Sequence, residues 1–212
     1  DWVSHWASEW KQVADALGTA RNWDVFATEW LPDLLPDAPP GSPAAALHDW
    51  VQAQREQAAR HAGEVLAAPA HALRTLAFTR AVLRLAPPSS RHTSDLSDWA
   101  RDTLRQGHAR LRQQARRARH LGPEGRHDLR LALKKLRYTQ EFLSSLLPPR
   151  RAARSTAGLA DAQALLGDLN DLSTAQDLLA QAPAGLSPVV IESLRAALQS
   201  RLDDGLSALP AM

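Results

Sequence analysis

No window of this chain alternates apolar and polar residues with period two, β-branched residues are scarce, and Ala and Leu recur at three- and four-residue spacings throughout. Such a pattern builds amphipathic helices and leaves little from which to make a sheet, so an all-α fold is predicted. With 212 residues the chain is one large domain or two modest ones, long enough to bury a core. Cysteine is absent, which excludes disulfides, thiolate metal sites and a cysteine nucleophile, and makes a reducing, cytoplasmic setting the expectation. No run approaches 18 apolar residues, so no membrane span is expected.

Proline and glycine punctuate the helices. Pro32, Pro36, Pro39, Pro40, Gly41 and Pro43 form one connector, residues 87–95 a second, and Pro148 with Pro149 a third. Gly122-Pro123 and Ser187-Pro188 read as helix starts. Helices are therefore predicted at 1–17, 21–31, 43–67, 70–85, 95–121, 124–147, 150–166, 170–181 and 188–208. The stretch Leu17-Gly18-Thr19-Ala20-Arg21-Asn22 parallels Leu166-Gly167-Asp168-Leu169-Asn170-Asp171 at an offset of 149 residues. Both copies are expected to end a helix at glycine and to cap the next with a short polar side chain, which would also account for Asp168, Asn170 and Asp171. On that offset, the counterpart of residues 95–147 falls before residue 1. If the repeat holds, the chain contains the back part of a first helical repeat, incomplete at its N-terminus, at 1–90 and a whole second repeat at 91–212.

Charge is concentrated. Residues 101–137 hold 12 Lys/Arg, three His and three acids, a formal +9, whereas the remainder holds 13 basic and 20 acidic residues, a formal −7. On a helix, Arg101, Arg105, His108, Arg112, Arg116 and Arg119 share an arc of about 80° and a ridge roughly 27 Å long. Leu96, Ala100, Leu104, Leu111, Ala115 and Ala118 supply the adjoining core face. Acids at i+4 are nearly absent, so the like charges should repel by a few tenths of a kcal/mol per pair unless something outside the helix compensates. The next helix repeats the design, with His127, Arg130, Lys134 and Arg137 on one strip. Leu129, Leu133, Leu136, Leu143 and Leu147 occupy the far side. Lys135, Tyr138 and Phe142 form a third strip, in which the two rings are expected to be core. A short turn makes the two helices antiparallel neighbours, able to bring both ridges to one groove suited to a linear polyanion.

Enzyme chemistry finds no foothold. There is no nucleophile elbow, no phosphate loop ending in Gly-Lys-Ser/Thr, no Glu-x-Glu-x-Lys run and no His-Glu-x-x-His. The eight histidines are dispersed, so no catalytic residue, metal site or cofactor is expected. Trp2, Trp6, Trp10 and Trp99 are expected to pack the core.

The segment Arg126-His127-Asp128-Leu129-Arg130-Leu131-Ala132-Leu133-Lys134-Lys135-Leu136-Arg137-Tyr138 resembles the signature of the CHAD family, the conserved histidine α-helical domain. The Arg-rich helix before it, the Leu-Gly-Asp-Leu-Asn-Asp stretch at 166–171 and Leu17 to Asp24 resemble this family as well. The resemblance implies a fold of two pseudo-symmetric helical bundles that binds inorganic polyphosphate on basic surfaces. By the same resemblance the binding residues are His127, Arg130, Lys134, Lys135 and Arg137, joined by Arg105, His108, Arg112, Arg116 and Arg119; Arg101 joins them from its place on the same ridge. It further implies association with a CYTH-type triphosphatase domain in the parent protein, or with polyphosphate or polyester granules. RNA binding and a purely structural helical scaffold are the rival expectations.

Overall fold

The computed structural model describes residues 1–36, 38–85, 96–116, 118, 121–147 and 149–208. It is all-α, with no strand among the described residues. The helices are α1 (Trp2–Val25), α2 (Leu31–Leu34), α3 (Pro43–Ala67), α4 (Pro69–Leu83), α5 (Leu96–Ala115), α6 (Pro123–Phe142), α7 (Pro149–Leu179) and α8 (Pro188–Ala208). No described helix is long and apolar enough to cross a membrane.

Several boundaries follow from local chemistry. Asp1 caps α1, its carboxylate accepting from the Ser4 N–H at 2.8 Å, and Ser42 caps α3 through the Ala45 N–H at 3.1 Å. Pro43 and Pro188 begin their helices, where a missing N–H costs nothing. The turn Phe26–Trp30 widens to π-helical geometry just before Pro32. In a regular helix the Pro32 ring would crowd the carbonyl of Thr28, and the wider turn relieves that crowding.

Two expectations fail at glycine. Gly18 lies inside α1 and Gly167 inside α7, both in unbroken helix. The predicted pairs 1–17 with 21–31 and 150–166 with 170–181 are thus each one helix, and Asp168, Asn170 and Asp171 cap nothing. An interior glycine costs only about 1 kcal/mol, less than the packing gained by continuing. In α7 the buried stripe Leu159, Leu166, Leu169, Leu172 runs straight past Gly167. The helix expected at 95–121 ends at Ala115, and the one expected at 124–147 ends at Phe142 with a 3₁₀ turn, Ser144–Leu146, after it.

The chain divides into two compact units, residues 1–87 with 174–198 and residues 88–173 with 199–212. In the first, α1 and α3 run antiparallel and enclose Val13, Ala16, Trp23, Phe26, Leu31, Leu47 and Val51. Trp23 meets Trp50 edge-on at 5.5 Å, and Arg55 pairs with Asp24 across the two helices at the same level. Phe78 of α4 lies against Trp2, Trp6 and Trp10, with ring centres 5.0 to 5.8 Å apart. In the second unit Ala100 and Leu104 of α5 and Leu129, Leu133, Leu136 and Leu143 in and just after α6 are buried, as are α7 leucines 159, 166, 169 and 172 and Leu202 of α8.

The expected core is corrected at five places. Leu96 is exposed, and so are Trp2 and Trp99, although Trp2 still joins the aromatic cluster. Tyr138 and Phe142 are 52% and 86% exposed. They lie on the outer strip of α6, about 160° and 200° round from Gln140, beyond the reach of α5.

Candidate functional site: two basic ridges on α5 and α6

The second unit sets α5 against α6 through two close approaches. A Cβ on Gly107 would stand 2.7 Å from Cδ1 of Leu136, and His108 Nε2 lies 3.3 Å from Gln140 Oε1. Glycine at 107 leaves the space that the Leu136 side chain fills. The helices run antiparallel, so turning the same rotational way from the contact on each leads to the same side of the pair. Arg101, Arg112, Arg105 and Arg116 lie about 20 to 80° beyond His108 in that sense, and Arg137, Arg130, Lys134 and His127 lie about 60 to 140° beyond Gln140. Both ridges therefore border one side of the α5/α6 seam. Lys135 falls on the outer, exposed strip with Tyr138 and Phe142, away from that seam. Arg119 lies outside the described residues.

The side chains differ in how far their charge is already answered. Arg101 pairs with Asp98 and also donates from Nε to the Ser97 carbonyl at 3.2 Å. Arg105 reaches Asp102 at 3.1 Å, and Arg137 reaches Glu141 at 2.8 Å. The expectation that intrahelical acids contribute almost nothing is thus corrected, since Asp98 and Glu141 lie just outside the basic window at i−3 and i+4. The Arg101 and Arg105 pairs are largely solvated and each is worth a few tenths of a kcal/mol, whereas Arg137 is only 26% exposed. Arg112, Arg116 and Lys135 are exposed and make no ion pair among the described residues.

Arg130 is different. It is only 8% exposed, yet it makes no ion pair or hydrogen bond among the described residues, and its Nε is buried without an acceptor. Arg137 shares the second feature: its Nε is also buried and unmatched, while its guanidinium sits 4.8 Å from the Tyr138 ring centre. A buried N–H without an acceptor costs free energy, and an anion that reaches the Nε edge of these side chains relieves it.

Two carboxamides hold the ridge histidines. Gln140, 2% exposed, meets His108 as above. Asn170 of α7 lies with Oδ1 3.0 Å from Nδ1 of His127, and its Nδ2 donates to Asp171 Oδ1 at 3.3 Å. Neither carboxamide is apparent as a site residue in the sequence. The signal for Gln140 is a polar residue on the stripe Leu133, Leu136, Leu143; Asn170 is disguised by the apparent helix break at Gly167. Beside it, Asp168 has its carboxyl pushed above the usual carboxylate range, by burial first and by the Asp171 charge second. No cluster of three or more potential metal ligands exists among the described residues.

A family model for the CHAD domain matches residues 1–180. The chain belongs to the CHAD-domain family. This CHAD domain is also similar in fold to the crystal structure of the CHAD domain from the plant Ricinus communis, with a TM-score of 0.76 and 24% sequence identity over 98% of this chain and 73% of that one. None of the curated proteins matches.

Proposed function

We propose that this CHAD domain binds inorganic polyphosphate, without catalysis, along the side of the α5/α6 seam that both basic ridges border. The observation that carries the reading is Arg130, a nearly buried arginine whose Nε has no acceptor and which makes no ion pair among the described residues, placed between Lys134 and His127 on one strip. A linear polyanion offers an acceptor at each phosphate, and an extended row of arginines offers planar forks that match them. Affinity then comes from many charge-assisted contacts and from released counterions. The resemblance noted above extends the proposal to a CYTH-type neighbour in the parent protein and to polyphosphate or polyester granules as the location.

Single-stranded RNA is the second reading, favoured by the exposed rings of Tyr138 and Phe142 one strip over from the ridge, where bases can stack. Competition separates the two. With labelled polyphosphate bound, excess tRNA should leave the probe in place and excess unlabelled polyphosphate should remove it. Displacement by tRNA at equal phosphate concentration overturns the preference.

A further inference from the structure

We propose that Asn170 is the positioning residue of His127, and that it makes polyphosphate binding at this end of the ridge consume a proton. The inference rests on the polyphosphate reading for its second half and on geometry alone for its first. Asn170 Nδ2 donates to Asp171, which turns Oδ1 of the carboxamide toward the imidazole. That oxygen only accepts, so His127 Nδ1 must carry a hydrogen. The opposite edge of the exposed ring, Nε2, makes no hydrogen bond among the described residues.

The consequence for a ligand is chemical. In the neutral ring held this way, Nε2 is a bare lone pair, and phosphate oxygens are lone pairs too. They repel. Nε2 becomes a donor to phosphate only when the ring takes a second proton and becomes imidazolium. The arginines and lysine of the ridge need no such step, being charged already. An asparagine at 170 suits this arrangement, because a carboxamide fixes the ring and adds no charge, whereas a carboxylate would bind the imidazolium as an ion pair and blunt its pull on the ligand. The charged residues to be counted around the ring are Glu124, Asp128, Arg130 and Lys134 on α6, with Asp171 behind the carboxamide and Asp168 beyond it on α7.

Two measurements on the full chain test this. Calorimetric titration with linear polyphosphate of defined length, near neutral pH in buffers of different ionisation enthalpy, counts the protons taken up. Wild type should take up more than His127→Gln. Asn170→Asp should take up less than half of that excess, because its carboxylate charges the ring before the ligand arrives. Asn170→Ala should likewise take up less than half of that excess, because the released ring can turn a neutral Nε2–H toward phosphate without a second proton. Equal uptake by wild type and His127→Gln, or an unchanged excess in Asn170→Asp, overturns the proton linkage. The second measurement is nitrogen NMR of the imidazole in the ligand-free protein, which reads the tautomer directly. Nδ1–H is expected in wild type and a shift toward Nε2–H in Asn170→Ala; an Nε2–H ring in wild type overturns the positioning role. If the protein binds no polyphosphate at all, the proposed function and the proton linkage fall together, and the tautomer still decides whether Asn170 positions His127.

Discussion

Replacing Arg130 by methionine should make the ligand-free protein more stable and the ligand-bound protein less so. The methionine keeps most of the apolar stem of this nearly buried residue and removes a guanidinium whose Nε has no acceptor. An unsatisfied buried donor costs about 1–3 kcal/mol, more when charged. Some packing volume is lost, so a net gain of about 1–2 kcal/mol is reasonable. For a chain of this length each kcal/mol moves Tm by about 2–4 °C, so thermal unfolding followed by far-ultraviolet circular dichroism should show Arg130→Met melting roughly 2–8 °C higher. Adding polyphosphate at about a hundred times its Kd should then stabilise wild type by about 2.7 kcal/mol and the variant by much less, reversing the order. A variant that melts below wild type without ligand refutes the reasoning, because the guanidinium would then be stabilising the fold rather than awaiting an anion.

Other outcomes follow from the same structure. Asp168→Asn should raise stability at neutral pH, since the folded-state pKa lies above 3.8 and the ionised carboxyl is penalised there. The benefit should vanish once the pH falls below that value, where the carboxyl is protonated folded or unfolded; a pH series of Tm values checks it. Gly18→Ala should stabilise by about 0.5–1 kcal/mol in urea unfolding, because a Cβ there meets nothing within 4 Å and the helix is continuous. Gly107→Val should destabilise by about 1–3 kcal/mol in urea unfolding, since its Cβ would stand 2.7 Å from Cδ1 of the buried Leu136 and its methyl groups would displace that side chain. Arg137→Glu should weaken binding at least tenfold more than Arg195→Glu on α8, measured at one salt concentration.

The helices most legible in the sequence are those whose starts carry their own chemistry. Ser42-Pro43 and Ser187-Pro188 mark α3 and α8 to the residue, and Gly122-Pro123 marks α6 to within one. The basic strips are legible for a different reason: three- and four-residue spacing alone sets which side chains share a face, and antiparallel packing then puts both strips on one side of the seam. What local sequence hides is anything decided across helices. Gly167 looks like a stop because Asp168, Asn170 and Asp171 are good capping residues, and only the leucines buried on either side show that tertiary packing carries the helix through. The role of Asn170 beside His127 depends on a residue 43 positions away, and that of Gln140 beside His108 on one 32 away. Tyr138 and Phe142 mislead in the opposite sense, since aromatic residues on a helix suggest a core and both side chains are exposed.

The most direct test of the shared basic flank is calorimetric titration with polyphosphates of increasing defined length, repeated over a range of salt. A ligand lying along both ridges should bind more tightly as it lengthens until it spans them, and its affinity should fall steeply as salt rises, in proportion to the phosphates engaged. Affinity that is the same for pyrophosphate and for long chains, or insensitive to salt, contradicts the account.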